Sequence, residues 1–468
     1  MSLYSKIDKY VLIPIADKIM HRSLAKIWRI YEANEQLSRE QLTNLQNQKL
    51  QALIKHCYEH VPYYHRIMVE RGLMPTDITC PQDLTKLPIL TKQLVREHYN
   101  ELISDDINQR RYTKESTGGS TGTPMPFLSD LDEWGACRAS SFRAWRWYGF
   151  HLGEKMFTLG GNSLVKKSKY LTPKDIFDLY IMRNLKHSCA EVTDEAMQAH
   201  YEALMRYKPK VIRGYPSAIV YLAYYIERNN LSVCPLRCIL TTAEILLPKY
   251  RETIERVFKC KVYDEYGAGD GGIKSHECEL QNGLHISEEQ CIIEIADAKG
   301  NLLPDGEIGY VLSTNLNNYV FPFVRYQVGD MAKMKMAQCT CGRASRCIDQ
   351  IIGRVGKLIY NKQGVPVSSV IIDNMFFINC DYHDLQHCVV YNKMDKFQLR
   401  QDKNGDIKIF IKPQKKDEDI HTFDYVVDNV SRHFVGSEVS LEFVDDIPPM
   451  PSGKEDYCIS EYEYSDTK

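Results

Sequence analysis

The chain has 468 residues, of which 44% are hydrophobic and 26% charged, and its formal net charge is −2. That composition is ordinary for a globular protein, and the length exceeds one ordinary core, so the chain divides into domains. The near-neutral balance excludes a global field for nucleic acid or an anionic membrane, and no stretch approaches the ~20 apolar residues that span a bilayer. The thirty tyrosines read as core material. The apolar patch Val11–Ile15 is too short for a secretory signal, and fifteen scattered cysteines read as free thiols. Both point to the cytoplasm.

In chain order, Tyr10, Leu12, Ile15, Ile19, Leu24, Ile27 and Trp28 fit amphipathic helices. Their first reading is packing against the body, and their second is attachment to a membrane surface. Leu42, Leu45, Leu50, Leu53 and Ile54 recur at helical spacing, so residues 36–72 read as helix, broken at Val61-Pro62-Tyr63-Tyr64. From about 110 to 330 short apolar strands (Val211-Ile212, Cys238–Thr241) alternate with helical stretches at 217–229 and 248–258. Such alternation predicts an α/β sheet. Residues 284–330 turn β-rich, with strands at Cys291–Ile295 and Gly309–Ser313. Beyond 353 a strand-like run from Val365 to Ile378, a hairpin signal at Asn404-Gly405 and a helical 421–434 predict a small α+β domain. The division is therefore 1–353, with a helical leader over 1–75, and 354–468. The tail from Glu461 to Lys468 reads as frayed.

Five short segments carry chemistry. Ser116-Thr117-Gly118-Gly119-Ser120-Thr121-Gly122-Thr123-Pro124 combines glycines, which let backbone approach a ligand, with hydroxyl donors. Successive amides in such turns form anion-binding concavities, so a polyphosphate is the natural guest; a plain flexible loop is the other reading. It is not the NTPase P-loop, because Thr123 and Pro124 stand where Lys and Ser/Thr belong. The second segment, Tyr263 to Gly272, offers a stacking aromatic beside glycines, and its Asp264 and Asp270 suit a ribose hydroxyl or Mg²⁺. The third is Arg325–Asp330 and the fourth Gly353–Lys357. The fifth, Pro451–Lys454, sets a lysine on a tight loop, where it meets a developing negative charge or is simply a surface lysine.

In this order the segments resemble the adenylate-forming ligases, above all the phenylacetate–CoA ligase family and its relatives from capsular-polysaccharide clusters. Val61–Tyr64, Arg213-Gly214-Tyr215-Pro216-Ser217 and Thr242-Ala243-Glu244 extend the likeness, which runs from about Leu45 to the C-terminus. The resemblance implies a large N-terminal adenylation domain with a β-rich part and a small mobile C-terminal lid. It implies that Ser116 to Thr123 grip the phosphates of ATP. Ala243 and Glu244, with Asp264, Glu265, Tyr266 and Gly267, would border adenine and the acyl pocket. Asp270 would carry Mg²⁺, Asp330 the ribose hydroxyls, and Arg354 would stand near the nucleotide. Lys357 matches the hinge, and Lys454 the lysine that bridges carboxylate and α-phosphate. The implied reaction joins a carboxylic acid to AMP with release of pyrophosphate, then transfers the acyl group to CoA or to a sugar amine or hydroxyl. A homodimer is common in the family, and no segment here demands one.

Several positions depart from the family pattern. Asp270 replaces a glutamate, Gln327 and Val328 precede Gly329-Asp330, and Gly356-Lys357 replaces Asp-Asp. Leu358 to Val367 matches the CoA ligases poorly, so adenylation is better supported than thioesterification. A non-catalytic module that holds nucleotide or acyl-adenylate is the second reading.

Cys339-Thr340-Cys341, with Cys278 and His285 upstream, offers three thiols and an imidazole, a closed tetrahedral set for structural zinc. His276 and Cys347 are reserves, and free thiols are the plain alternative. Some of the resembling ligases carry a zinc in this region. The cluster Phe142, Trp145, Trp147, Tyr148 and Phe150 lines the acid pocket by resemblance, or is a helix burying its aromatic face. Arg143 and Arg146 on the same stretch are expected to be exposed, or else to pair with a polar substrate group.

Overall fold

A computed structural model describes residues 3–116, 125–160, 176–188, 194–354, 359–363, 366–367, 393–448 and 458–462. The chain forms two compact units, Met1–Ile351 and Ile352–Lys468.

In the first unit a hairpin, β1 (Tyr112–Ser116) and β2 (Pro126–Asp130), pairs antiparallel. An 11-stranded sheet follows. Its strands are β3 (Met156–Gly160), β4 (Asn184–Ser188), β5 (Val211–Gly214), β6 (Cys238–Thr242), β7 (Lys261–Ala268), β8 (Ile273–Glu277), β9 (Leu284–Ile286), β10 (Cys291–Ala296), β11 (Ile308–Asn315), β12 (Tyr326–Met334) and β13 (Cys347–Arg354). Their spatial order is β10-β11-β12-β13-β9-β8-β7-β6-β5-β3-β4. The β4-β3-β5-β6-β7 run is parallel, and β7 turns antiparallel into β8.

The parallel strands are apolar because helices cover both faces. With period 2, Met156, Val211, Cys238 and Leu240 join one core, while Phe157, Leu159, Ile212 and Ile239 join the other. The first core receives helix Leu131–Trp147 and the leader; the second receives helices Pro216–Arg228 and Pro248–Phe258. Leaving β3, the chain adds β4 on one side and β5 on the other. This reversal of direction is a switch point, and open α/β sheets bind ligands at the carboxyl ends beside one.

Helix Arg39–His60 starts at a reciprocal Ser38/Gln41 capping box. It stops at Val61 because Pro62 lacks an N–H, and Pro62 in turn begins helix Pro62–Glu70. The Val61–Tyr64 signature has a structural use: the Tyr64 hydroxyl donates to Pro322 O and accepts from Val324 N, both at 3.0 Å. It clamps the segment that enters β12.

The leader runs as Leu3–Ile7, a π turn Asp8–Leu12, Ile13–Met20 and then Leu24–Asn34. Ile13, Ala16, Leu24, Trp28 and Tyr31 are buried in the core they share with the Leu131–Trp147 helix, with Trp28 edge-on to Phe142 at 5.4 Å. The expected packing against the body is therefore present on one face. Among the described residues no helix is long and apolar enough to cross a membrane.

In the second unit β14 (Ile359–Tyr360) pairs with β15 (Pro366–Val367). A four-stranded sheet has the order β18 (Val439–Phe443), β17 (Ile407–Pro413), β16 (Met394–Gln401), β19 (Cys458–Ser460). The Asn404-Gly405 hairpin joins β16 to β17, and Gly405 takes φ +84, a conformation that favours glycine. Helix Asp424–His433 lays Val426 and Val430 on Ile409 and Ile411. This is the α+β texture read from the sequence.

One buried group gives the leader a pH dependence. Asp8 is fully buried, and neither carboxylate oxygen has a hydrogen-bond partner among the described residues. Burial lifts its pKa from the ordinary 3.8 to about 7, against the pull of Arg183. The folded chain thus keeps this proton to higher pH than the unfolded chain. Stability falls as pH rises from 3.8 through about 7, where the proton is lost. Asp8→Asn is expected to raise the melting temperature at pH 8 and leave it nearly unchanged at pH 4. An equal shift at both pH values, or none at pH 8, would contradict this.

Candidate active site and cysteine–histidine cluster

The motif residues collect at the carboxyl ends of β5, β6 and β7. A Cβ at Gly214 would lie 2.0 Å from Leu159 O, so only glycine lets the end of β5 lie beside β3. Tyr215 and Pro216 then open helix Pro216–Arg228, whose Ser217 N–H donates to Glu244 Oε2 at 3.1 Å. Glu244 thereby offers an anion to a helix N-terminus. Its neighbour Ala243 holds φ +71, a left-handed conformation costly for alanine and of the kind stored at functional sites. Near the end of the part of β7 that pairs with β6, the Asp264 carboxyl group accepts from Thr241 Oγ1 at 2.7 Å, and burial pushes its pKa up to about 8. Glu265 is buried and accepts from Trp145 Nε1 and from Arg213 Nε (2.8 Å), with His276 Nε2 at 3.9 Å.

β12 meets the 263–272 segment through three residues on one face. The Tyr326 hydroxyl donates to Asp270 Oδ2 at 2.8 Å. Val328 packs so close to Gly271 that a Cβ there would lie 2.8 Å from it. Asp330 accepts from the Tyr266 hydroxyl at 2.8 Å. Tyr326, Val328 and Asp330 are spaced two apart, the period of a strand face. Gly271 O also accepts from Ser313 Oγ at 2.6 Å. Asn315, beside Gly272, donates to Glu133 in helix Leu131–Trp147. Just before that helix Asp130, at the end of β2, accepts from Tyr319 N and Val320 N. The β1–β2 hairpin that carries the phosphate-loop candidate is thus anchored next to the Asp270 turn.

Arg325, which opens the third motif, is a strut. It is buried with φ +50, pairs through Nε with Glu294 at 3.0 Å, and donates to Leu87 O and Gly300 O.

Cys278, His285, Cys339 and Cys341 converge, with one candidate ligand atom from each all within 4.8 Å of one another. Cys278 Sγ lies 3.7 Å from Cys339 Sγ, and Cys341 Sγ 3.3 Å from His285 Nε2. Two thiolates about 2.3 Å from one tetrahedral zinc stand about 3.8 Å apart, so the spacing fits. His285 Nδ1 lies 2.9 Å from Ser345 Oγ, which leaves Nε2 toward the thiols. Burial lowers the His285 pKa to about 4, so the imidazole is in its neutral, ligating form. Burial raises Cys278 to about 12, a penalty that a bound cation removes. Of the two reserves, His276 faces Glu265, and Cys347 packs beside the cluster without belonging to the four.

No family model matches the chain. Protein CapK of Staphylococcus aureus is 26% identical over 453 residues, 93% of this chain and 91% of that protein. Phenylacetate-coenzyme A ligase of Pseudomonas putida is 27% identical over 329 residues, 68% of this chain and 72% of that protein. Among solved structures, 2-hydroxyisobutyryl-CoA ligase in the postadenylation state, in complex with 2-HIB-AMP, matches with a TM-score of 0.69 at 18% identity over 88% of both chains. The anthranilate CoA ligase AuaEII with anthranoyl-AMP matches at 0.51 and 14%, over 74% of this chain and 65% of that one. The chain is thus similar over most of its length to CapK and over about two thirds of it to phenylacetate–CoA ligases, and it shares the fold of the solved CoA ligases.

Some residues that the superfamily pattern singles out fall beyond the described structure. Thr117, Gly118, Gly119, Ser120, Thr121, Gly122, Thr123 and Lys454 lie outside the described residues, as do Gly356 and Lys357. Ser116 and Arg354 are described only as ends of strands. The expectation of exposed arginines is corrected at Arg143. That side chain is buried, because it pairs with Glu289 and hydrogen-bonds Ser287. Arg146 pairs with Glu32. Phe142, Trp145, Tyr148 and Phe150 are core, and Tyr148 stacks on Tyr263 at 3.9 Å, so one face of the expected stacking aromatic is already covered. Sequence reading missed Tyr326 as the partner of Asp270 and Trp145 as a partner of Glu265.

Arg325→Ala leaves Glu294 buried without its cation. The expected loss is about 3–5 kcal/mol of unfolding free energy, read from the denaturant midpoint at unchanged slope. A loss under about 1 kcal/mol would show that the pair is not a strut.

Proposed function

We propose that the chain activates a carboxylic acid with ATP, forming an acyl-adenylate and releasing pyrophosphate, and then passes the acyl group to an acceptor. The observation that carries this reading is the pairing of Asp270 with Tyr326 and of Asp330 with Tyr266 beside the carboxyl ends of the parallel strands. Two oriented carboxylates in that position suit a nucleotide's metal and its ribose. The kinship with phenylacetate–CoA ligases supports CoA as the acceptor, and a sugar amine or hydroxyl is the alternative.

Both reactants are anions, so catalysis rests on positioning and cationic stabilisation. Residues 116–123 would hold the phosphates through amides and hydroxyls. Asp330 would accept from the ribose hydroxyls, with Tyr266 fixing the carboxylate. Asp270, one methylene shorter than the family's glutamate, would be steadied by the Tyr326 hydroxyl to hold Mg²⁺. When bound, Mg²⁺ supplies charge neutralisation on the phosphates. Lys454 would bridge the substrate carboxylate and the α-phosphate as charge builds on phosphorus. Residues 354–468 would form the lid that brings Lys454 in, with its hinge near Lys357 and Arg354 near the nucleotide. Ala243, Glu244, Asp264, Glu265 and Gly267 would frame the nucleotide and acyl pocket, Glu265 by holding Arg213 in place.

The test is carboxylate-dependent exchange of labelled pyrophosphate into ATP across a panel of acids. Lys454→Ala is expected to lower exchange by about 10²–10³-fold, the cost of removing one donor to a developing charge. Tyr326→Phe is expected to raise the magnesium concentration needed for half-maximal exchange and to leave the ATP-binding signal in place. Binding of ATP with no exchange for any acid would refute the reading.

We also propose a structural zinc held by Cys278, His285, Cys339 and Cys341, with no coordination position left for water. Elemental analysis of the purified chain is expected to give about one zinc per chain, and Cys339→Ser to release it. Intact folding with no metal in the wild-type protein would exclude the site.

A further inference from the structure

The outward face of the leader combines apolar and basic side chains. From Leu3 to Ile30 the exposed residues are Leu3, Ile7, Tyr10, Val11, Ile15, Ile19 and Ile30, with Lys6, Lys18, His21, Lys26 and Arg29. No exposed residue in this stretch is acidic. Of the two aspartates, Asp8 is fully buried, and Asp17 is half-buried and accepts from the Ala25 backbone N–H.

Leu3, Ile7, Val11, Ile15 and Ile19 recur every fourth residue. In a pure α-helix that spacing winds around the axis by about 40° per step. The π turn at Asp8–Leu12 takes more residues per turn and counters the drift, so the row stays on one side. The row is about 25 Å long at 1.5 Å per residue. Its ends are its most open points, with Leu3 76% and Ile19 72% exposed. Ile176 and Tyr180 widen it, since Tyr180 O accepts from the Tyr4 hydroxyl and both side chains are exposed.

We infer that this face docks on an anionic phospholipid surface, lying in the plane of the headgroups. A long apolar row flanked by lysines and free of carboxylates is the pattern of an interfacial helix. Charge selects the lipid over a second copy of the chain. A two-fold dimer would set this patch against itself, cation against cation, with no exposed acid in the stretch to relieve it. Anionic headgroups complement the same cations. The formal charge of −2 conceals this local excess. The inference is independent of the adenylation reading, because none of these residues belongs to the candidate site.

Flotation of the purified full chain with vesicles tests it. Vesicles of phosphatidylcholine mixed equally with phosphatidylglycerol are expected to carry at least about tenfold more protein than phosphatidylcholine alone, and high salt to reduce the binding. Ile7→Glu with Ile15→Glu is expected to cut flotation about tenfold or more at an unchanged melting temperature. Lys6→Gln with Lys18→Gln is expected to erase the preference for anionic vesicles. Should the double glutamate variant misfold, Ile19→Glu alone at the second open end of the row reads the same loss. No flotation of the wild type, or equal flotation of the glutamate variants, would overturn the inference. So would a wild-type dimer that the glutamate changes dissociate while no vesicle binds, which would make the face an interface between copies.

Discussion

A buried ion pair, with the Tyr64 clamp and backbone bonds to Leu90, holds the start of β12, and the candidate site hangs from it. Arg325 sits in a left-handed conformation, pairs with Glu294, and reaches Leu87 O and Gly300 O with its remaining donors. A buried ion pair is seldom a net source of stability relative to apolar side chains of similar volume, because both ions lose their hydration. What this one supplies is placement. Fixing Arg325 fixes the phase of the strand that begins one residue later. With period 2, Tyr326, Val328 and Asp330 then face the 263–272 segment together. A slip of one residue would turn all three away and present Gln327 and Gly329 instead.

That arrangement shows which parts of the site a sequence exposes. Local patterns were legible: the Asn404-Gly405 hairpin, the helix over 216–228, the apolar parallel strands and the ends where motifs cluster. The cysteine–histidine set was legible because few residue types ligate zinc, and four of them fell in two short windows. Partnerships across the fold were not. Nothing near Asp270 announces that Tyr326 steadies it, since the two meet only when β12 lies against the β7–β8 turn. Arg143 misled for the same reason. A helix pattern shows which face is apolar, but it cannot show that Glu289 waits on the buried side.

The leader divides its two faces between different tasks. Its inner face is fastened by Ile13, Leu24 and Trp28 in the core, and weakened by Asp8, a carboxyl group buried without a hydrogen-bond partner among the described residues. Its outer face keeps an apolar row that packing against the body leaves unused. Asp8 is buried and Asp17 half-buried, so no exposed residue from Leu3 to Ile30 is acidic. The leader is therefore both a clamp on helix Leu131–Trp147 and, over Leu3 to Ile30, a surface whose exposed charges are all basic.

Helix Leu131–Trp147 links the candidate site to the cysteine cluster. It begins at Asp130, where β2 is tied to residues 319 and 320. In its last two turns, Arg143 binds Glu289 and Trp145 donates to Glu265 in β7. At its far end Trp147 lies edge-on to His285 at 5.8 Å, beneath the Arg343 guanidinium at 4.2 Å, and donates to Glu35. One rigid rod therefore touches the phosphate-loop hairpin, the β7 carboxylate and the cluster in turn. A cation among the thiols would fix the His285 ring against which Trp147 lies.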